Sequence, residues 1–550
     1  MNGICRAVLK QIVPLLTAFI IVGSLGILPA NAQNARNPII HADVPDVSMI
    51  RVGDTCYMSS TTMHMSPGLP IMKSKDLVNW ELLNYAYDRL GENDALNLEN
   101  GRSAYGQGSW ASSLRYHDGV YYVSTFSSTT GKTYIFSTPD IENEPWQENS
   151  FEPSLHDSSL FFDNDGKVYM LWGAGSLRLV ELKEDLTGIK EGGINEVVIQ
   201  NASAPAGENI MLGAEGSQLF KHNGRYYLFN ITWPRGGMRT VVLHRADKIT
   251  GPWEGRLGLQ DQGVAQGGMI ETPDGDWYAY LFQDHGAVGR IPYLVPLKWE
   301  DGWPVLGVYG KVPVDLKLPA SKGLIPGIVD SDEFERTKGE RALPLVWQWN
   351  HNPDNEHWSL TERPGYLRIT TGRIVHNIMS ARNMLTQRTI GPKCTGTTSV
   401  DVSGLQDGDF TGLCLLQQNY GVVGVKRDGD SKQIVMVKGS APRRGPRRGR
   451  RQESNHASPT DAVVETVPLE QETVYVRAVC DFRDRTDKAQ FYYSLDGESW
   501  TAIGDELEMR YTLPHFMGYR FGLFNYATTE AGGRADFDYF RITDEMLRPN

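Results

Sequence analysis

Cysteine is scarce. The 550 residues carry five, and Cys5 stands ahead of the N-terminal apolar run, too early to be a lipoprotein cysteine. The other four, Cys56, Cys394, Cys414 and Cys480, are too few for a disulfide framework in a chain this long. Cys56 and Cys414 sit in apolar runs (DTCYMSS, TGLCLLQ), which predicts buried thiols. No CxxC or HExxH spacing occurs, so the common zinc patterns are absent and no metal is expected from them. Positive charge is short as well. Lys and Arg number 54 against 66 Asp and Glu, a formal net charge of −12. A nucleic-acid partner would favour the opposite sign, and none is expected. Beyond residue 32 no apolar stretch is long enough to cross a bilayer.

The first 32 residues read as a secretory signal. Arg6 and Lys10 supply positive charge, residues 12–28 are apolar, and Ala30-Asn31-Ala32 offers small residues for cleavage. Pro14, Gly23 and Gly26 interrupt the run, which favours cleavage over anchoring. The expectation is a secreted or periplasmic protein with no membrane span after cleavage.

What the chain has in abundance is turn glycine and aromatic rings: 57 Gly, 24 Tyr and 13 Trp. From 33 to 325 a hairpin recurs five times, as RVGDTCYMSS, YHDGVYYVSTF, DNDGKVYMLWG, KHNGRYYLFN and TPDGDWYAYLF. The turn glycines are Gly53, Gly119, Gly166, Gly224 and Gly275. Asp-Gly and Asn-Gly favour tight hairpins because the turn needs positive φ. A period of 47 to 66 residues fits a four-stranded blade, so this half predicts a five-bladed β-propeller. Polar turns ending at Trp80, Trp146 and Trp253 read as turns into outer strands.

The repeat sets a register. Nine residues before four of the turn glycines stand Trp110, Asp157, Glu215 and Gln266, and Asp46 stands seven before Gly53. Inner strands of a propeller begin at one axial face, so these five side chains are expected around one pocket. Two carboxyl groups on different blades suit glycosidic cleavage, one protonating the leaving oxygen and one assisting attack at the anomeric carbon. A third carboxylate, Asp157, would raise the pKa of a neighbouring Glu. Trp110 offers an apolar wall and Gln266 hydrogen bonds to hydroxyls.

These segments resemble glycoside hydrolase family 43. Asn37-Pro38 and Pro45-Asp46-Val47-Ser48 stand where the family has NP-x-x-x-G-x-x-PDPS. Asp157-Ser-Ser-Leu-Phe-Phe-Asp163 matches DPSLF-x-D, and Glu215-Gly216-Ser-Gln-Leu-Phe-Lys matches EGP-x-L-Y-K. Trp110-Ala111-Ser112 is similar to W-A-P. The resemblance implies general base for Asp46, pKa modulator for Asp157 and general acid for Glu215. It also implies a substrate-reaching Arg, here Arg290, and an axial His that in some members holds water or calcium, for which His285 is the candidate. The family's proline is missing from PDVS, DSSLF and EGS. Ser60–Met65 (STTMHM) departs further, where many relatives carry aromatics, and Met63 and His64 are expected to reshape the sugar pocket.

At Asp330-Ser-Asp-Glu-Phe334 the pattern changes to short strands rich in Trp and Tyr. Residues 330–550 resemble the concanavalin-like β-sandwich that follows the propeller in xylosidase-type members, one loop of which closes the pocket. Residues 441–460 (APRRGPRRGRRQESNHASPT) cannot pack a core and read as a solvated hairpin insertion. The whole is an all-β chain. The resemblance implies an exo-acting, inverting hydrolase with no required cofactor. It would release terminal α-L-arabinofuranosyl or β-D-xylosyl units from an oligosaccharide or polysaccharide. Two rivals are a non-catalytic carbohydrate-binding propeller and a retaining fructan hydrolase, whose W-M-N-D-P-N-like opening is missing here.

Overall fold

The computed structural model describes residues 34–324, 327–336, 343–440, 460–512 and 515–549. The N-terminal segment read as a signal and most of the Arg-rich stretch lie outside them. Five four-stranded antiparallel sheets follow one another along the chain. Their innermost strands are Ser48–Val52, Ser113–His117, Ser159–Phe162, Ile210–His222 and Ala265–Glu271. Each of these touches the next, and the fifth touches the first, so the ring is closed. Every blade takes its four strands from one continuous stretch, and a separate two-stranded sheet joins Asn34–Arg36 to Asp315–Pro319.

Local chemistry explains the repeat. Asp118-Gly119 and Asn223-Gly224 form two-residue hairpins with positive φ at both positions, the geometry that matches strand twist. Gly166 and Gly275 take the positive φ in longer turns, 163–167 and 272–276. The turns before Trp80 and Trp146 share one device. Asp76 accepts from the Val78 and Asn79 amides, and Asp140 from those of Glu142 and Asn143. In each, the Asn side chain bonds back to the Asp at 2.8 Å. These Asx turns launch the outermost strands Glu81–Tyr87 and Gln147–Phe151.

The C-terminal half stacks an eight-stranded sheet on a seven-stranded one. Strands Ser431–Ser440 and Thr460–Leu469, which flank the Arg-rich stretch, pair antiparallel. The four described cysteines are buried free thiols, with Cys394 and Cys480 opposite one another on paired strands. The two halves share structure. The two-residue strand Met65–Ser66, from the first blade, pairs with Gln348–Asn350 and forms the edge of the eight-stranded sheet. Arg388 donates to the Asp43 carbonyl at 2.9 Å, and the Tyr519 amide to that of Ala287 at 2.9 Å. One apolar core runs from Ala42, Val288 and Ile291 of the propeller to Trp347, Leu385 and Phe521 of the sandwich.

Candidate active site

Asp46 and Asp157 each stand two residues before the inner strand of their blade, and Trp110 stands three before its own; Glu215 and Gln266 lie within theirs. Asp46 (φ 51°), Asp157 (φ 48°) and Gln266 (φ 55°) are left-handed, which costs a non-glycine residue roughly 1–2 kcal/mol. Such strain persists where surrounding contacts hold it. Gln266 Nε2 donates to Asp46 Oδ1 at 2.9 Å, and the Gly216 amide donates to Asp157 Oδ2 at 2.9 Å. Gly216 itself lies against Gln266, for a Cβ there would sit 2.7 Å from the Gln266 side chain. Asp46, Gln266, Gly216 and Asp157 therefore form a continuous chain of contacts, with Glu215 beside Gly216. The strand carrying Glu215 is irregular on both sides of it, between Leu212 and Glu215 and between Glu215 and Gln218. Such bulges re-aim a side chain.

The carboxyls differ in environment. Asp46 is 4% exposed, and Arg290 Nη1 donates to both of its oxygens at 2.9 Å. Burial raises the Asp46 pKa, with the Arg290 charge and hydrogen bond pulling it back. Burial likewise lifts Asp157 above the usual carboxylate range, against the charge of His156 and with the help of Glu215 and Asp46. Glu215 is more open, its side chain 20% exposed, and its Oε2 lies 3.0 Å from His156 Nε2. His156 was not singled out by the sequence. It adjoins Asp157 in the chain, and a titratable residue beside a ring position is the signal that would have found it.

Trp110 is half-buried, and its ring meets Phe516 edge-on at 5.0 Å. Phe516 comes from the sandwich, where its amide bonds the Thr512 carbonyl, and it covers the Arg290 guanidinium at 4.7 Å. The sandwich thus supplies a wall beside Asp46. Nothing local in the sequence marks this residue, 226 positions from Arg290. Arg239 adds a second cation, paired with Asp284 at 2.6 Å and stacked on Trp233, and its charge reaches Asp46.

Four expected substrate contacts are placed otherwise. Arg290 is 1% exposed and spends its bonds on Asp46, so it holds the carboxylate instead of reaching outward. Met63 and His64, 1% and 2% exposed, are drawn into the seam because the adjoining strand Met65–Ser66 joins the sandwich sheet. His64 is enclosed by Tyr105, His351, His515 and Asn350. His285 bonds Gln283 at 2.7 Å and abuts His41 edge-on at 5.4 Å. Calcium takes six to eight oxygens, whereas here one amide oxygen meets a second imidazole, and the Arg485 charge disfavours a cation. No calcium site forms at His285 among the described residues. The only group of three His, Cys, Asp or Glu ligand atoms within 4.8 Å of one another, among those residues, is His156, Asp157 and Glu215. Its Nε2 and Oε2 bond each other, and Asp157 Oδ2 accepts from Gly216, which makes it a proton-sharing cluster.

A closed ring of five blades bearing three converging carboxyls, one held by a cation and one open beside an imidazole, defines a glycoside hydrolase. The family model described as "Glycosyl hydrolases family 43" matches residues 35–304, and "Beta xylosidase C-terminal Concanavalin A-like domain" matches 331–543. The chain belongs to glycosyl hydrolases family 43; it is an inverting O-glycosyl hydrolase, and such enzymes need no cofactor. A beta-xylosidase of Formosa agariphila is 27% identical over 92% of this chain and 89% of its own. A non-reducing end alpha-L-arabinofuranosidase of Bacteroides ovatus is 27% identical over 75% of this chain and 80% of its own. Among solved structures, a bifunctional GH43-CE protein of Bacteroides eggerthii is 64% identical, with a TM-score of 0.89 over 94% of this chain. This chain spans 64% of that longer one.

Proposed function

We propose that this enzyme removes single terminal pentose units, α-L-arabinofuranosyl or β-D-xylosyl, from the ends of a plant polysaccharide or its oligosaccharides. Asp46 acts as general base on the attacking water, Glu215 as general acid on the leaving oxygen, and Asp157 orients and tunes Glu215. The observation that carries the reading is the Phe516 wall against Trp110 and Arg290. A pocket walled on that side by the second domain favours a chain end over a chain interior. The division of labour follows exposure. Asp46 is buried and held by Arg290 and Gln266, as suits a base that stays ionised. Glu215 is open enough to meet a leaving group. The relatives' named activities support both pentoses.

The test is hydrolysis of nitrophenyl α-L-arabinofuranoside and β-D-xyloside side by side, with the anomer of the first-formed sugar read by NMR. The proposal expects turnover of one or both, inverted product, and loss in Glu215→Gln. Retained configuration, or full activity in Glu215→Gln, would sink it. Arg6, Lys10, the apolar run and Ala30-Asn31-Ala32 support export to the periplasm or medium. N-terminal sequencing of the mature protein would then begin at Gln33.

A further inference from the structure

Glu215 does not stand alone. His156 Nε2 lies 3.0 Å from its Oε2 and 3.9 Å from Asp157 Oδ2. Phe126 meets the imidazole edge-on at 5.0 Å, and the Gly173 amide bonds the His156 carbonyl at 3.0 Å, which fixes the backbone there. Its side chain keeps 45% of its surface open, against 20% for Glu215 and 8% for Asp157. Of the three groups it alone both touches the acid and faces solvent broadly.

We infer that His156 is the proton donor that loads Glu215, a positioning residue that links the acid to the solvent. The inference rests on Glu215 being the general acid. An inverting cycle ends with the acid deprotonated and the base protonated, so the acid needs a proton from outside before each turnover. The step begins with the proton on His156 Nε2. That N–H breaks as an O–H forms on Glu215 Oε2. The O–H breaks in turn as the glycosidic oxygen takes the proton and its bond to the anomeric carbon cleaves. Water attacks that carbon and gives its proton to Asp46, which releases it to solvent, while His156 regains one from solvent. The charges acting on His156 are those of Asp157 and Glu215. They raise its pKa to about 9 despite burial, which opposes them, and Phe126 is uncharged.

Leaving groups separate this role from packing. A 2,4-dinitrophenyl pentoside departs without protonation, whereas a methyl pentoside requires it. We expect His156→Phe and His156→Gln to lower kcat/KM on the methyl pentoside by about tenfold or more, with the dinitrophenyl rate within about twofold of the parent. Gln keeps a hydrogen-bond donor for Oε2 but carries no titrating proton. The alkaline limb of the methyl-pentoside profile should move to lower pH in both, since a proton shared by two bases is held to higher pH than one on a lone carboxyl. Equal loss on both substrates in both variants overturns the inference, and so does a parental rate and limb in His156→Gln. Glu215→Gln separates the two readings. Normal methyl-pentoside turnover in it sinks the acid assignment and the inference with it. Loss there, with unchanged His156 variants, sinks the inference alone.

Discussion

Asp46 is nearly closed to water and keeps its charge through Arg290, whose Nη1 bridges both oxygens. Burial raises the Asp46 pKa and the guanidinium lowers it, so removing the cation lifts it further. Arg290→Met should move the acid limb of kcat/KM to higher pH and cost activity on the order of a hundredfold. An unpaired buried charge also destabilises by about 3–5 kcal/mol, readable in urea unfolding; an unmoved limb would contradict the assignment. Gly216→Ala is a second test at this scale. Its φ is 65° and the new methyl meets Gln266, so Gln266 must leave Asp46. We expect a fall in kcat with about 1–2 kcal/mol of lost stability, and a parental kcat would show that Gln266 is dispensable. Asp46, Asp157, Glu215, Trp110 and Gln266 were legible because a hairpin glycine fixes the distance to each inner strand. His156 and Arg239 were not, since neither stands at a ring position.

Elements carry the pocket's shape. The segment from Met509 to Tyr519 is tied at both ends, its Met509 amide to the Asp487 carbonyl and its Tyr519 amide to Ala287, and Phe516 stands between. Phe516→Ala removes an apolar wall and the cover over Arg290. It should raise KM about tenfold, the change that about 1.4 kcal/mol of lost binding gives, with a smaller change in kcat. Separate determination of the two constants checks this, and an unchanged KM would remove Phe516 from the pocket. The hairpins and Asx turns were readable because local chemistry dictates them. The strand Met65–Ser66 was not. Its pairing with Gln348–Asn350, nearly 300 residues on, is set by tertiary packing alone, and this is why Met63 and His64 belong to the seam.

At the scale of the molecule, the seam holds three buried histidines. His64, His351 and His515 lie within 5.7 Å of one another by ring centroid where they meet. His64 bonds Asn350, whose amide donates to Tyr105, and His351 Nε2 accepts the Ala104 amide. Burial holds His64 and His351 well below the ordinary imidazole range and His515 at about 3. The native protein refuses protons that the unfolded chain accepts below about pH 6.5. Stability is therefore full above that pH and falls as pH drops below it, by about 1.4 kcal/mol per unit for each histidine. Urea midpoints between pH 7 and 4.5 should show the slope, and His515→Phe should flatten it; an unaltered slope would place the acid sensitivity elsewhere. Because the halves share a sheet and a core, melting should be one cooperative transition. Two separate transitions would mean that the seam is weak.

Phe516 has a consequence for how the enzyme comes into being. The five blades are complete once residue 306 has been made, yet the ring that borders Trp110 and Arg290 is encoded more than two hundred codons later. A nascent chain released early carries all three carboxyls and lacks the lid of its own pocket. That wall is therefore the last part of the pocket to be synthesised, added only when the tail of the polypeptide docks on the propeller.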